Sequence, residues 1–126
     1  MIRKAQDQRR SYEHQLKGGK GTIRLLNLLE ERESYGTGRL FAISIIPPGC
    51  SIGCHTHAGD FEIYYILKGT AKVYDNGAED ILNPGDSMTC LEGDCHSIEN
   101  IGDCDLEYTA FILHTERGGL RNELPT

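Results

Sequence analysis

The chain has 126 residues, which fits one domain with a modest core. Its formal net charge is −6 and its pI about 5.3, a balance that disfavours a nucleic-acid partner. No apolar run approaches the roughly 18 residues of a membrane span, and Met1-Ile2-Arg3-Lys4-Ala5-Gln6-Asp7-Gln8 lacks the apolar segment of a secretion signal, so a cytoplasmic protein is expected.

Residues 1–21 are polar and basic and end in Gly18-Gly19-Lys20-Gly21; they read as an N-terminal arm or loop, with a strand lent to a neighbouring subunit as the alternative. Residues 22–113 carry the strand signals. Thr22–Leu29 is short, apolar and bounded by glycine, which favours a strand over a helix. Glu30-Glu31-Arg32-Glu33 reads as a solvated loop. Gly38–Ile46 is a strand stopped by Pro47-Pro48-Gly49. A strand through Cys54–His57, a turn at Ala58-Gly59-Asp60 and an apolar run Ile63–Leu67 suggest a hairpin. Thr70–Tyr74 then runs into Asp75-Asn76-Gly77, a hairpin turn, and returns over Glu79–Leu82. Asn83-Pro84-Gly85-Asp86 closes that unit; Ser87–Leu91, Cys95–Glu99 and Leu106–Leu113 complete the series. Eight or nine short strands at regular spacing predict an all-β sandwich or barrel. Residues 114–126 form a polar C-terminal tail, ill-ordered or packed on a partner.

The chemistry concentrates in one stretch. His55 and His57 are two apart, so on a strand both imidazoles share a face. A hairpin would bring Glu62 back beside them. His96, on a later strand, is the remaining histidine of the strand-rich region, whereas His14 and His114 read as surface residues. Three imidazoles and one carboxylate suit Fe(II), Mn(II), Ni(II), Cu(II) or Zn(II) and poorly suit Mg or Ca. Four protein donors on a six-coordinate ion leave two positions for a bidentate oxygen ligand.

Cys50, Cys54, Cys90, Cys95 and Cys104 follow no C-x-x-C spacing. Cys54 and Cys95 each adjoin a candidate ligand, which raises a Cys/His zinc site. Reduced, buried thiols are the expectation in a cytosolic protein, and alternation turns Cys54 away from the face of His55 and His57.

The spacing of these residues resembles that of the cupin superfamily. Gly49, His55, His57, Glu62 and Gly69 match every element of its first motif, and Gly85, Gly93, His96 and Asn100 match its second in register. Leu91 stands where the second motif has proline. The likeness covers residues 49–100 and extends to short bacterial single-domain cupins labelled oxalate-decarboxylase-like or mannose-6-phosphate-isomerase-like. It implies a single-domain antiparallel jelly-roll β-barrel, often dimeric. It also implies metal binding by His55, His57, Glu62 and His96, with manganese, iron, zinc or nickel as the divalent ion. The shared barrel does not itself specify a reaction.

Three functions of different class follow as expectations. The first is a metalloenzyme acting on a small carboxylate or other oxygenated substrate, by decarboxylase, lyase, isomerase or dioxygenase chemistry. Tyr64, on the face of Glu62, is its candidate acid or base, against the commoner role of a core aromatic. Glu92 and Asp94 could serve at the mouth, against the role of solvated turn carboxylates. The second is a binding or sensing module that holds a carboxylate or sugar without turnover. The third, a metal-dependent structural role, is opposed by the two open coordination positions. A thiol dioxygenase is disfavoured, because that chemistry in this superfamily typically replaces the glutamate ligand and Glu62 is present. A homodimer is expected.

Overall fold

A computed structural model describes residues 1–116; the last ten residues of the expected tail lie outside the described residues. Ten strands follow in chain order: β1 (Arg9–His14), β2 (Thr22–Leu29), β3 (Gly38–Ile46), β4 (Ser51–Thr56), β5 (Asp60–Lys68), β6 (Ala71–Asp75), β7 (Ala78–Leu82), β8 (Ser87–Cys90), β9 (Cys95–Asn100) and β10 (Leu106–His114). The described helical segments are single 3₁₀ turns at Ala5–Asp7, Leu16–Gly18 and Glu31–Glu33. No helix among the described residues is long and apolar enough to cross a membrane.

The strands form two antiparallel sheets, a jelly roll. One has the order β1-β2-β3-β10-β5-β8, the other β4-β9-β6-β7. Alternation makes each sheet one-sided. On β9, His96, Ile98 and Asn100 are buried while the residues between them are partly exposed. On β10, Leu106, Tyr108, Ala110 and Ile112 face in. The core between the sheets includes Ile23, Ile46, Ile52, Ile66, Val73, Ile98, Leu106, Tyr64 and Tyr108. At the β6–β7 turn, Asn76 (φ 46°) and Gly77 (φ 103°) both take the left-handed region, as the Asp-Asn-Gly sequence predicts. The buried Asn100 amide donates to the carbonyls of Ile46 and Cys104 and accepts from Gly102 N, which ties the end of β9 to the end of β3 and to the loop that follows β9.

Three expectations require correction. First, β4 and β5 are not a hairpin. β4 pairs with β9, β5 pairs with β10 and β8, and the chain crosses between the sheets at residues 57–59. Gly59 at φ 79° makes that crossing. Second, residues 1–21 are not simply an arm. Arg9–His14 forms β1, which pairs along its whole length with β2 of the same chain, Arg9 opposite Asn27 and His14 opposite Thr22. Third, Cys54 and Cys95 are not reduced thiols. They form a disulfide with Cα atoms 6.2 Å apart. The register that sets His55 opposite His96 also sets Thr56 opposite Cys95, and it leaves the two sulfurs on the side away from the imidazoles. Cys50, Cys90 and Cys104 are free, and of these only Cys90 is fully buried.

Candidate metal centre

The sheet that carries β4 and β9 supplies two of the expected donors directly opposite each other. His55 and His96 are register partners, and their ring centroids lie 4.2 Å apart. His57 sits just past the end of β4, with its ring 4.9 Å from that of His96 and 5.3 Å from that of His55. Glu62 comes from β5, across the sandwich. One ligand atom from each of His55, His57, Glu62 and His96 lies within 4.8 Å of the other three. His57, Glu62 and His96 are buried, and His55 is half-buried.

A β-bulge aims His55. The β4–β9 register shifts between Ile52 and His55, so that both side chains line the interior although they are three residues apart. The Gly53 carbonyl at the bulge accepts a hydrogen bond from His55 Nδ1 at 2.8 Å. Gly53 is also a place of close approach. A Cβ there would collide with the Lys17 carbonyl, so only glycine lets the Leu16–Gly18 turn pack on β4. Lys17 itself holds φ 55° in that turn.

The distal nitrogens of the three rings are fixed by different partners. His57 Nδ1 donates to Asp60 Oδ1 at 2.6 Å, and Arg39 Nε donates to Asp60 Oδ2 at 2.7 Å. His55 is held by Gly53, as above. His96 Nδ1 lies 3.5 Å from the Tyr64 hydroxyl. With Nδ1 so engaged, Nε2 of each ring is the atom left for the cluster. His57 Nε2 is 3.2 Å and His96 Nε2 3.8 Å from Glu62 Oε1.

The electrostatics fit a cation at this point. Glu62, with Asp60 behind it, raises the pKa of His57, so a proton held there supplies positive charge to the buried carboxylate. Burial lowers the pKa of His55. Burial, with His55 and His57 alongside, drops that of His96 to about 3. His96 is therefore a neutral imidazole at any ordinary pH. It is 0% exposed, yet its Nε2 has no hydrogen-bond partner among the described residues. A buried polar atom without a partner costs about 1–3 kcal/mol, and a metal bond to its lone pair removes that cost. The donor set of three nitrogens and one carboxylate oxygen therefore fits a divalent transition ion.

The cluster lies in a cavity of about 540 Å³, lined among others by Lys17, Arg39, Leu40, Ser44, Ile52, Tyr64, Tyr108 and Ile112. Tyr64 is 1% exposed and packs edge-on against Tyr108, with ring centroids 4.8 Å apart. Burial raises both phenols well above their ordinary range, so both remain protonated. Glu92, weighed for the mouth against a solvated turn carboxylate, is committed elsewhere: its Oε2 accepts from Gly59 N and from Thr115 Oγ1. It thereby pins the crossing loop between β4 and β5. Neither Glu92 nor Asp94 lines the cavity. Cys90, the register partner of Glu62, stays a thiol because burial pushes its pKa up.

Asp60, Arg39, Lys17 and Glu13 also belong to the site and were not singled out from the sequence. Asp60 had a legible signal, since it stands two residues before Glu62 and so shares its face. The other three come from β3, the Leu16–Gly18 turn and β1, which only the tertiary fold brings to the cavity.

Comparison with known proteins agrees with this fold. Residues 42–112 match the family model for the cupin domain. The chain is 44% identical over 98 residues to a Thermotoga maritima protein named oxalate-binding protein, covering 78% of this chain and 81% of that one. A Thermotoga maritima crystal structure, described as a predicted oxalate decarboxylase, superposes with a TM-score of 0.86 at 38% identity, covering 90% of this chain and 99% of the other. The cupin domain of Schizosaccharomyces pombe Cnp3 shares the fold at a TM-score of 0.65 and 17% identity, over 92% of this chain and 77% of the other. The chain belongs to the cupin family.

Proposed function

We propose that this cupin holds a divalent metal ion on His55, His57, Glu62 and His96 and uses it to bind a small carboxylate, of the oxalate class, in the cavity above the cluster. The observation that carries the reading is the buried, unpartnered Nε2 of His96 amid three further donors. The bound ion would act as a Lewis acid toward carboxylate oxygens at its open positions. The chain's own residues do the rest. Asp60 and the Gly53 carbonyl orient two of the rings. Apolar walls at Leu40, Ile52 and Ile112 exclude water. Lys17, which has no ion pair of its own among those resolved, and Arg39, half-exposed beside Asp60, make the entrance attractive to an anion. The name of the Thermotoga relative supports the ligand class.

A second reading, turnover, is favoured by Glu13. This β1 carboxylate lines the cavity and has no hydrogen bond or ion pair described for it, whereas Asp60 is tied to Arg39 and His57. It is the side chain placed to carry a proton to or from a bound acid. Tyr64, held as a phenol, can donate a hydrogen bond but is poorly suited to release its proton.

The test begins with metal analysis of protein purified without chelators, beside His57→Ala. About one ion of manganese, iron, zinc or nickel per chain is expected in the wild type, with loss in the variant. Oxalate titrated into the loaded protein should then bind, and formate released from it distinguishes turnover from binding. Equal metal in both proteins would sink the four-donor site.

A further inference from the structure

The six-stranded sheet is wider than the four-stranded one, and its β1–β2 end carries a second hollow, of about 310 Å³. Alternation sets Ser11 and Glu13 of β1 and Leu25 and Asn27 of β2 toward it. Glu13, Leu25, Arg39 and Leu40 line both this hollow and the cavity of the metal centre, so the two spaces join. That cavity, of about 540 Å³, already falls in the range of roughly 300–1,000 Å³ that encloses a drug-sized molecule. Oxalate, the smallest dicarboxylate, would occupy only the end at His55, His57, Glu62 and His96.

The hollow has a polar wall and an aliphatic one. Asn27 is 4% exposed, and its Nδ2 donates to the Arg9 carbonyl and to Ser11 Oγ, each at 3.0 Å. Those bonds leave the Ser11 proton and the Asn27 Oδ1 lone pairs without a partner among the described residues. A donor and an acceptor on touching side chains match a hydroxyl group, which both accepts and donates. Leu25, Leu29 and Leu40 face the carbons that would bear such hydroxyls. The charges argue against a second carboxylate. Arg9 is held by Glu30 at 2.8 Å and Arg39 by Asp60 at 2.7 Å, whereas Glu13 and Glu31 have no ion pair among the described residues. Unpaired negative charge in the hollow repels an anionic tail.

We propose that this hollow is a second subsite, which takes the hydroxylated tail of an acid longer than oxalate while the acid's carboxylate lies at the metal centre. Ser11 donates to a tail hydroxyl, and Asn27 Oδ1 accepts from one. The ligand class is then the polyhydroxylated monocarboxylic acids, in preference to fatty or dicarboxylic acids of the same length. This inference rests on the carboxylate-binding reading above.

The experiment titrates oxalate, gluconate, 2-hydroxyhexanoate, 2-hydroxyadipate and 6-amino-2-hydroxyhexanoate into the manganese-loaded protein by calorimetry. The last four share one chain length and one 2-hydroxy acid end and differ in the tail. Gluconate should bind about ten-fold or more tightly than the other three, because a tail without hydroxyls leaves the polar wall unpaired. Ser11→Ala should weaken gluconate about three- to ten-fold, the loss expected for one hydrogen bond, and Ser11→Thr, which keeps the hydroxyl, should not. Both variants should bind oxalate and 2-hydroxyhexanoate as the wild type does and keep its melting temperature and manganese content. Gluconate bound no more tightly than 2-hydroxyhexanoate, or less tightly than the amino acid, would overturn the proposal, as would equal losses of oxalate and gluconate in Ser11→Ala. Loaded wild type that binds neither oxalate nor any of the longer acids would overturn the carboxylate-binding reading itself, a result visible before any variant is measured.

Discussion

Asp60 does more than its place after a turn suggests. One oxygen accepts a hydrogen bond from His57 Nδ1 and the other accepts from Arg39 Nε, so the carboxylate fixes both the tautomer and the angle of one ring. Asp60→Asn keeps the size, but an amide cannot accept from both partners at once. Partners of this kind typically contribute 10–100-fold to metal affinity. We expect a fall of about that size in a competitive chelator titration, with the circular dichroism of the fold retained. Unaltered affinity would show that the ring needs no such support. At this scale the convergence of His55, His57, Glu62 and His96 was legible, because alternation on a strand sets His55 and His57 toward one side and the motif spacing adds the other two. Asp60 was passed over because Ala58-Gly59-Asp60 has turn composition. Glu92 was weighed as a mouth residue against a solvated turn carboxylate; its partners, Gly59 N and Thr115, could not be read because they are remote in sequence. Tyr64 shows how one side chain can serve both expectations: it is a packed core aromatic whose hydroxyl reaches the site.

Among elements, β4 is the one on which the centre depends most. Its bulge turns His55 inward and Cys54 outward, and its partner β9 does the same with His96 and Cys95. The disulfide therefore clamps the two strands from behind the donors without touching them. Closing a loop between cysteines 41 residues apart contributes about 4 kcal/mol on a chain-entropy account. Cys54→Ser should lower the thermal midpoint under non-reducing conditions and leave metal stoichiometry unchanged. A melting curve beside metal analysis decides this, and stoichiometric metal loss would mean that the clamp is needed to hold the donors. Strand positions were readable from apolar runs and glycine stops; β3 begins and ends where expected. Partnership was not. Neighbouring strands in sequence pair often, so β4 and β5 were expected as a hairpin, yet their pairing is decided by β9 and β10, tens of residues away. β1 was missed because an edge strand with one neighbour carries charges in place of an apolar stripe, as Arg9, Arg10 and Glu13 do.

For the molecule as a whole, metal-free stability should depend on pH through the same cluster. His55 and His96 have folded pKa values below the ordinary 6.5, so the unfolded chain binds protons that the folded one refuses. Stability from these two is present above about pH 6.5 and is lost as pH falls, for His96 down to about 3. His57 acts oppositely: its raised pKa contributes stability below 6.5 that disappears as pH rises through its folded value. His96, lowered to about 3, decides the sign. Chelator-treated protein should thus show a lower urea midpoint at pH 5 than at pH 7.5. A midpoint that is flat or higher at pH 5 would contradict the neutral, buried state of His96.

The donors come from both plates of the sandwich: His55, His57 and His96 from the β4–β9 side and Glu62 from the β5 side. The gap between those plates is set by the side chains packed in it, Ile66, Ile98, Ile52 and Val73 among them. Bond lengths to divalent ions differ by tenths of an ångström, from about 2.0–2.1 Å for zinc to nitrogen up to 2.3–2.6 Å for calcium to oxygen. A close-packed interior does not yield by such amounts without cost. For an ion held on these four side chains the core would work as a calliper: which ion seats best would be gauged by aliphatic residues that never touch it.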